Sequence, residues 1–559
     1  MLSVVALLAG FAAFAFAYWG YGKWFDRKIM ESNPKKTTPA RMYMDGIEFF
    51  PSNKYVMMGF QWKSIAALGP IIGPTVAMKW GWLPGLLWVI FGNTLIGWLH
   101  DYVGLMVSVK SEGASFGPLV YELISKRARL LLLSFISFYL LLAIGSYGMT
   151  VAVTYLAGFP QAPVAILAIC IVSMFAGILT FKYKTPITYT TVLAMILMVV
   201  GVWVGFIIPV SVPFDPWLKA DFWYFWVLVF CYLGAVTPVW LFLQPVNYLS
   251  FYLVYGTVIA VLVGVLVGAP TFNLPAYTTV APLGMGIDPI WPIMFVTIAC
   301  GAVSGWHALV GSAVSSKQLD NEADGLFVGG GAMLLEGILS LAAISTVAAL
   351  TPAAIAGKAA PIVLIQGWST SLGYLGVGFD FAMILCAIIV SLLALSVLHL
   401  NVRVIRFCLA ELFGERIPII KNMYVAAAIP CLLAWLLSAP RFGGIFIYVW
   451  TLWGGMNQLL AGINLLIATM WFVRMKKPSY FTGVPSVFMI GTTIVALILT
   501  MNATYIAATK PGVTFIAAFS NWLAVSIALL VLILTVVLIN DAIKAYGKWK
   551  AAPAPTVAS

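Results

Sequence analysis

Residues 187–211 read ITYTTVLAMILMVVGVWVGFIIPVS and contain no charged side chain. A helix of about 20 apolar residues spans the hydrocarbon core of a bilayer, so this stretch is long enough to cross it once. Its apolar run is continuous and lacks the alternation of a transmembrane β-strand. Because hydrocarbon offers the backbone no hydrogen-bond partners, the stretch is predicted to be a transmembrane helix.

The whole chain has the same character. Of its 559 residues, 62% are apolar and 9% are charged, whereas a soluble domain carries about 25% charged residues because its surface must stay hydrated. The composition therefore predicts an all-α integral membrane protein and excludes a soluble globule. The six cysteines lie in or beside apolar runs, without disulfide or zinc spacing, and are predicted to be core residues.

The apolar runs divide into fifteen predicted transmembrane segments. In order, they are residues 2–22, 63–79, 84–109, 130–157, 162–181, 187–211, 221–243, 248–270, 290–312, 326–352, 380–402, 424–439, 445–473, 482–503 and 514–541. Together they predict one polytopic membrane domain over residues 1–550. The Pro- and Ala-rich tail, 551–559, is predicted to be disordered.

The basic residues predict the orientation of these segments. If the N-terminus faces outside and all fifteen segments span, 24 of the 30 Lys and Arg fall on inside loops and five on outside loops, with Lys63 at a boundary. Cytoplasmic loops carry such an excess, so the prediction is N-terminus out and C-terminus in. The net charge of +12 is thus explained by topology, and no nucleic-acid partner is expected.

Four segments contain prolines, glycines and polar residues that disfavour a continuous helix. Segment 2 has two prolines within Leu68–Pro74, and each removes a backbone donor and clashes with the preceding turn. The others are segment 7 at Gly234–Pro238, segment 9 at Gly301–Gly305 and segment 13 at Gly454–Gln458. Irregular backbone at membrane depth is tolerated where it is buried or lines a cavity, which points to a substrate site. For any single break, a proline kink or a glycine packing notch is the alternative.

The spacing of segments 2 and 7 predicts an inverted repeat. They are five segments apart and cross in opposite directions, as in transporters whose first helix in each half unwinds at the substrate. The predicted halves are residues 63–211 and 221–402, with additional helices in 1–22 and 424–541.

Few ionisable residues lie at membrane depth, and such residues are functional candidates by default. Asp101 is a candidate for ion coupling, or a cap near the inner end of its helix. Glu336 is a proton carrier or substrate partner, or it makes a structural hydrogen bond. His307 takes part in transport, or it packs as a neutral hydrogen bonder. The sequence does not choose between these alternatives.

Several chemistries are set aside. The chain has no Walker A loop, no His-Glu-x-x-His motif and only three histidines, so ATP-driven transport, zinc hydrolysis and multi-haem chemistry are not expected. No cofactor, metal site or enzymatic activity is predicted. A carrier driven by an ion gradient remains, with a membrane enzyme or redox subunit as one alternative.

The sequence resembles the carbon starvation protein A family over about residues 45–475. The matching motifs are Phe50-Pro-Ser-Asn-Lys-Tyr-Val56, Ala67-Leu-Gly-Pro-Ile-Ile-Gly-Pro74, Gly81-Trp-Leu-Pro-Gly85, His100-Asp-Tyr102, Pro238-Val-Trp-Leu-Phe-Leu-Gln-Pro245, Asn247-Tyr-Leu249, Cys300-Gly-Ala-Val-Ser-Gly-Trp-His-Ala308, Lys317-Gln-Leu319, Asn321-Glu322, Gly331-Ala-Met-Leu-Leu-Glu336, Lys421-Asn-Met-Tyr424 and Leu452-Trp-Gly-Gly-Met-Asn-Gln-Leu-Leu-Ala461. The resemblance implies a carrier of the cytoplasmic membrane linked to peptide uptake during starvation, with some relatives taking up pyruvate with protons. It also implies a relation to the amino acid–polyamine–organocation superfamily.

The chain departs from the family pattern at ionisable positions. Two family histidines are replaced by Phe60 and Gln61, an Arg-Asp pair by Val246 and Asn247, and an aspartate by His399. Ion coupling and substrate therefore do not transfer directly from pyruvate-transporting relatives.

The resulting prediction is a secondary active transporter that takes up short peptides or pyruvate, coupled to protons or another cation, by alternating access within a lipid bilayer. The predicted substrate-binding residues are Gly69, Pro70, Gly73, Thr237, Pro238, Ser304, His307, Asn457 and Gln458, and the predicted ion-coupling residues are Glu336, Asp101 and His307. A starvation sensor or scaffold without flux is a further alternative. The sequence does not predict the oligomeric state.

Overall fold

The computed structural model describes residues 2–278, 289–445 and 451–553, and within these ranges the chain is almost entirely helical and contains no β-strand. Its principal helices are α1 (Ser3–Met30), α2 (Lys54–Ile65), α3 (Gly69–Ala77), α4 (Trp82–Lys110), α5 (Lys126–Leu156), α6 (Ala162–Lys182), α7 (Ile187–Ile207), α8 (Pro216–Val236), α9 (Leu243–Gly268), α10 (Gly305–Ala313), α11 (Glu322–Val347), α12 (Ala360–Gly373), α13 (Phe379–Phe413), α14 (Met423–Ser438), α15 (Thr451–Arg474), α16 (Tyr480–Ala508) and α17 (Phe515–Ala551).

Twelve of the described helices are long and apolar enough to cross a membrane. The prediction of an all-α, multi-pass membrane protein is confirmed. Each of the fifteen predicted segments overlaps one or more of the described helices. How many of them cross the bilayer, the orientation and the inverted repeat stay predictions.

The loops gather at two ends of the helical bundle. We call one of them the basic end, because ion pairs join its loops and helix termini: Arg41 with Asp320 (2.6 Å), Lys110 with Glu322 (2.8 Å), Arg403 with Glu48 (2.6 Å) and Arg474 with Glu122 (2.5 Å). At the opposite end, the backbone N–H of Trp82 donates to Pro275 O (3.1 Å) and that of Asn273 to Ala348 O (2.9 Å). Loops that the sequence assigns to one side of the membrane thus meet at one end.

Two of the four predicted breaks are wrong. Segment 7 is helical through Val236, and the non-helical residues 237–242 separate α8 from α9 instead of interrupting one helix. Segment 13 is continuous across Gly454–Gln458 within α15. Gly454 serves close packing there, since a Cβ on it would lie 2.5 Å from the carbonyl oxygen of Val296.

One of the principal helices lies wholly outside the predicted segments. Helix α12 lies in a stretch assigned to an outside loop, yet one side of it is buried against α9, α11 and α13. Its apolar run is short and interrupted by polar residues 369–371, so no membrane segment was assigned to it. The predicted disordered tail falls mostly on residues 554–559, which lie outside the described residues.

Candidate functional site

The first break lies between α2 and α3, at residues 66–68. Pro70 stands at the start of α3, where its missing N–H costs nothing, but a helix continuing from α2 would lose a hydrogen bond there. Gly69 allows the backbone to approach the next broken segment, because a Cβ on it would lie 2.5 Å from Cys300 Sγ. Gly73 does the same one turn later against the carbonyl oxygen of Thr297.

The second break lies at Val303 and Ser304, between the short helix Ala299–Ala302 and α10. Both residues have extended backbone angles. The two broken segments cross in opposite directions, since α3 packs on Ala299–Ala302 and α2 packs on α10. The breaks predicted in segments 2 and 9 are therefore present and lie side by side.

Side chains satisfy backbone carbonyls around the breaks. Asn93 Nδ2 donates to Gly301 O at 2.7 Å, and Trp306 Nε1 donates to Ser64 O at 2.8 Å. Ser340 Oγ donates to Pro70 O at 2.8 Å. A carbonyl left unpaired at membrane depth would cost several kcal/mol, on the order of 2–7. These bonds therefore allow the non-helical backbone to be buried.

Asn457 on α15 links the second break to α5. Its Oδ1 accepts hydrogen bonds from Tyr139 OH (2.9 Å) and from the backbone N–H of Trp306 (3.1 Å). Its Nδ2 lies 3.1 Å from both Cys300 Sγ and Ser304 Oγ. Both polar atoms of this amide have hydrogen-bond partners, so Asn457 fixes the geometry of the break. A substrate can change this geometry by replacing one of these partners.

Four ionisable side chains form a buried cluster, which we call the carboxylate–histidine cluster. His307 on α10 places Nδ1 2.9 Å from Asp101 Oδ2 and Nε2 3.1 Å from Glu336 Oε2. Asp101 Oδ1 lies 2.8 Å from His100 Nδ1. None of the four is more than 1% exposed. A neutral imidazole donates from one nitrogen, whereas an imidazolium donates from both, so the contacts of His307 to two carboxylates depend on its protonation.

Glu336 has the fewest fixed partners in the cluster. Its Oε2 has one partner, His307 Nε2 at 3.1 Å in a poorly aligned contact, and its Oε1 has no hydrogen-bond donor among the described residues. Asp101, by contrast, is bonded at both oxygens. Gain or loss of a proton at Glu336 therefore disturbs fewer hydrogen bonds than the same change at Asp101.

A cavity of about 590 Å³ opens at the end opposite the basic end and reaches the first break. Its inner part is lined by Gly69, Gly73, Tyr147 and Trp453, and its outer part includes Lys79. The predicted residues Gly69 and Gly73 therefore face an open space large enough for a small organic solute.

Aromatic residues separate this cavity from the polar groups beneath it. The rings of Tyr147 and Trp453 lie 5.0 Å apart, and Tyr139, which bonds Asn457, stacks on Trp453 at 5.9 Å. Cys300 Sγ lies 3.1 Å from Asn457 Nδ2, and a Cβ on Gly69 would lie 2.5 Å from it. Cys300 therefore lies between the first break, which lines the cavity, and the amide of Asn457.

Three predicted binding residues are not part of this arrangement. Thr237 and Pro238 lie in the turn between α8 and α9, where Thr237 O accepts a bond from Arg403 (3.2 Å) near the basic end. Gln458 is buried next to Asn457, but its amide has no hydrogen-bond partner among the described residues. The structure brings together Gly69, Pro70, Gly73, Ser304, His307, Asn457, Asp101 and Glu336.

Several residues of the site were missed, among them Tyr147 and Trp453 in the cavity wall, Tyr139 and Cys300. Tyr139 lies in an uninterrupted apolar helix, and only a hydroxyl among leucines distinguished it. Cys300 was assigned to the core, although it directly precedes the Gly301–Gly305 motif. Within the described ranges, no group of three or more His, Cys, Asp or Glu could hold a metal ion.

Comparisons with known proteins agree with a transport site. The sequence profile of the family described as carbon starvation protein CstA matches residues 2–373 and 363–496. The chain is 28% identical to the pyruvate/proton symporter BtsT of Escherichia coli (strain K12), with 89% of this chain and 81% of the relative covered. It is 29% identical to the peptide transporter CstA of Bacillus subtilis (strain 168), with 84% and 85% covered. These relatives are transporters, which groups the chain with carriers and not with enzymes.

Among solved structures, a manganese transporter from Eremococcus coleocola matches with a TM-score of 0.48 and 11% identity, covering 90% of this chain and 99% of that protein. A mutant form of the same transporter matches with a TM-score of 0.44 and 10% identity, covering 88% and 95%. These scores are too low to establish a common fold.

Proposed function

The chain belongs to the carbon starvation protein CstA family, and from this premise we propose that it is a secondary transporter of the cytoplasmic membrane. Its proposed substrate is a small carboxylate-bearing solute, either a short peptide or pyruvate, taken up together with a proton. The names of the two relatives support both substrates and the proton.

The observation that carries the proposal is the position of His307. It is fully buried, it contacts two carboxylates from different helices, and it lies one turn after the second break. A buried cluster of this kind changes its net charge with each proton, and a charge without a partner is costly away from water. Proton binding there is therefore linked to the arrangement of α4, α10 and α11, which carry the three side chains.

The proposed substrate position is the inner part of the cavity, at Gly69, Tyr147 and Trp453. A carboxylate placed at the start of α3 meets the positive end of the helix dipole. Glu336 carries the coupling proton, because it has the fewest fixed partners in the cluster. Asn457 and Ser304 reorganise when the substrate is released towards the basic end.

Uptake by proteoliposomes tests this function. Purified protein is reconstituted, and uptake of labelled pyruvate and labelled di- and tripeptides is measured with and without an inward proton gradient. We expect accumulation of at least one of these solutes above its external concentration, and only with the gradient. Accumulation that does not depend on the proton gradient, or no flux of any of these solutes, would contradict the proposal.

The Glu336→Gln variant tests the proton site. The amide keeps the size of the side chain but binds no proton, so gradient-driven accumulation is expected to fall at least about tenfold. Exchange of labelled for unlabelled substrate, which needs no net proton movement, is expected to persist. The matched control is Glu415→Gln, an exposed carboxyl at the basic end, which is expected to behave as the parent protein.

A further inference from the structure

Lys63 is a fully buried amine with two oxygen partners. Its Nζ donates to Leu392 O at 2.7 Å and to Ser396 Oγ, both on α13. The Ser396 hydroxyl also lies 3.3 Å from the carbonyl oxygen of Lys63 itself. The amine nitrogen thus contacts one carbonyl oxygen and one hydroxyl oxygen, and a second carbonyl oxygen lies beside that hydroxyl. Oxygens of this kind are the ligands that hard cations prefer.

The surroundings provide no opposite charge. Among the described residues, Lys63 forms no ion pair with a carboxylate. An ammonium buried without a counter-charge is costly, so Lys63 keeps its proton only through these oxygens and the negative end of α2.

The position of Lys63 at the end of α2 indicates a role for its positive charge. Lys63 is in the last turn of α2, directly before the first break, where the negative end of the helix dipole favours a cation. Its partners are on α13, so the contact ties the broken segment to a neighbouring long helix. In transporters with broken helices, coupling cations bind to half-helix ends and freed carbonyls of this kind.

We propose that the Lys63 ammonium occupies an oxygen-lined monovalent-cation site between the end of α2 and α13, as a tethered replacement for sodium. The inference rests on the proposed transport function and deepens it: the cation that holds the broken segment against α13 is part of the chain, so uptake needs no sodium. Removing the side chain opens a site whose oxygens, Leu392 O, Ser396 Oγ and Lys63 O, suit Na⁺.

A binding measurement tests the site without requiring transport. Thermal unfolding of detergent-purified Lys63→Ala is followed in NaCl and in choline chloride at equal ionic strength. We expect sodium to raise the unfolding midpoint of this variant, but not that of the parent protein or of the exposed-residue control Lys510→Ala. Adding Ser396→Ala to Lys63→Ala is expected to abolish the sodium effect. A folded Lys63→Ala protein with equal midpoints in both salts would overturn the proposal, whatever the protein transports.

Uptake supplies the second readout. Parent uptake is expected to be equal in sodium and choline. Lys63→Ala uptake is expected to fall about tenfold in choline and to recover in sodium. Lys63→Met fills the space with a neutral chain of similar length, so its uptake is expected to be low in both salts.

Should Lys63→Ala fail to fold, Lys63→Met still decides the matter, because full uptake by this variant shows that no charge is needed and overturns the proposal. An inactive parent protein that nevertheless shows the sodium effect in Lys63→Ala would contradict the transport function alone.

Discussion

Asp101 holds two imidazoles at once, with Oδ1 on His100 and Oδ2 on His307. Asp101→Asn replaces the central charge of the cluster while keeping the shape of the side chain. Breaking a buried ion pair from one side costs about 3–5 kcal/mol in the free energy of unfolding. We therefore expect a lower thermal unfolding midpoint in detergent and loss of uptake. Asp380→Asn, an exposed carboxyl at the start of α13, is the control, and equal midpoints for the two variants would contradict the paired arrangement.

The residues of the site could be predicted one by one, because charged side chains at membrane depth are rare. Asp101, His307 and Glu336 stand out in apolar segments, but they lie on α4, α10 and α11, and no spacing along the chain indicates that they meet. Lys63 was predicted to lie at a membrane boundary for a related reason. The apolar run begins there, which suggests a membrane boundary, whereas the helix begins at Lys54 and is buried by neighbouring helices from Val56 onwards.

At the scale of helical elements, the two broken segments require glycine at their crossing. Gly69→Ala places a methyl group 2.5 Å from both Cβ and Sγ of Cys300, so the segments must separate. Overpacking of this kind costs about 1–3 kcal/mol. We expect reduced stability and reduced uptake, measured by thermal unfolding and proteoliposome flux. The double variant Gly69→Ala/Cys300→Gly removes both clashing atoms and is expected to recover much of the stability.

Two glycines serve as controls for this crossing. Gly73 faces the backbone oxygen of Thr297, so Gly73→Ala is expected to be damaging and not rescued by Cys300→Gly. Gly491 on α16 has open space where a Cβ would lie, so Gly491→Ala is expected to be neutral. Equal effects of Gly69→Ala and Gly491→Ala would show that the crossing is looser than described.

The outcome of the four predicted breaks has a physical pattern. Segment 2 breaks because Pro70 starts a new helix, and segment 9 breaks because Val303 and Ser304 take extended backbone. The glycines of segment 13 instead pack against neighbours within a helix that keeps its hydrogen bonds. Glycine alone therefore did not distinguish a break from a close contact, and tertiary packing decided between them.

For the whole molecule, one cavity opens opposite the basic end and reaches the first break, while ion pairs join the loops of the basic end. Arg403 on α13 is 3% exposed and pairs with Glu48, which lies just before α2. Glu48→Gln leaves Arg403 without its carboxylate and is expected to favour the state that opens at the basic end. The native cysteines are all buried, so Ala503→Cys in the cavity wall provides a selective label site.

A membrane-impermeant maleimide measures this shift. We expect Ala503→Cys to be labelled in the parent background, to be protected by transported substrate and to be labelled more slowly when Glu48→Gln is added. Adding Glu415→Gln instead is expected to leave the labelling rate unchanged. Equal rates in all three backgrounds would contradict a closing role for the Arg403–Glu48 pair.

The central claim is that substrate and proton cross together, with the proton carried by the carboxylate–histidine cluster. The most direct test is the pH inside proteoliposomes, followed with a trapped pH-sensitive dye after substrate is added outside without an imposed gradient. The account predicts acidification of the lumen by the parent protein and by Glu415→Gln, and none by Glu336→Gln. Substrate entry into parent proteoliposomes without any change in internal pH would contradict it.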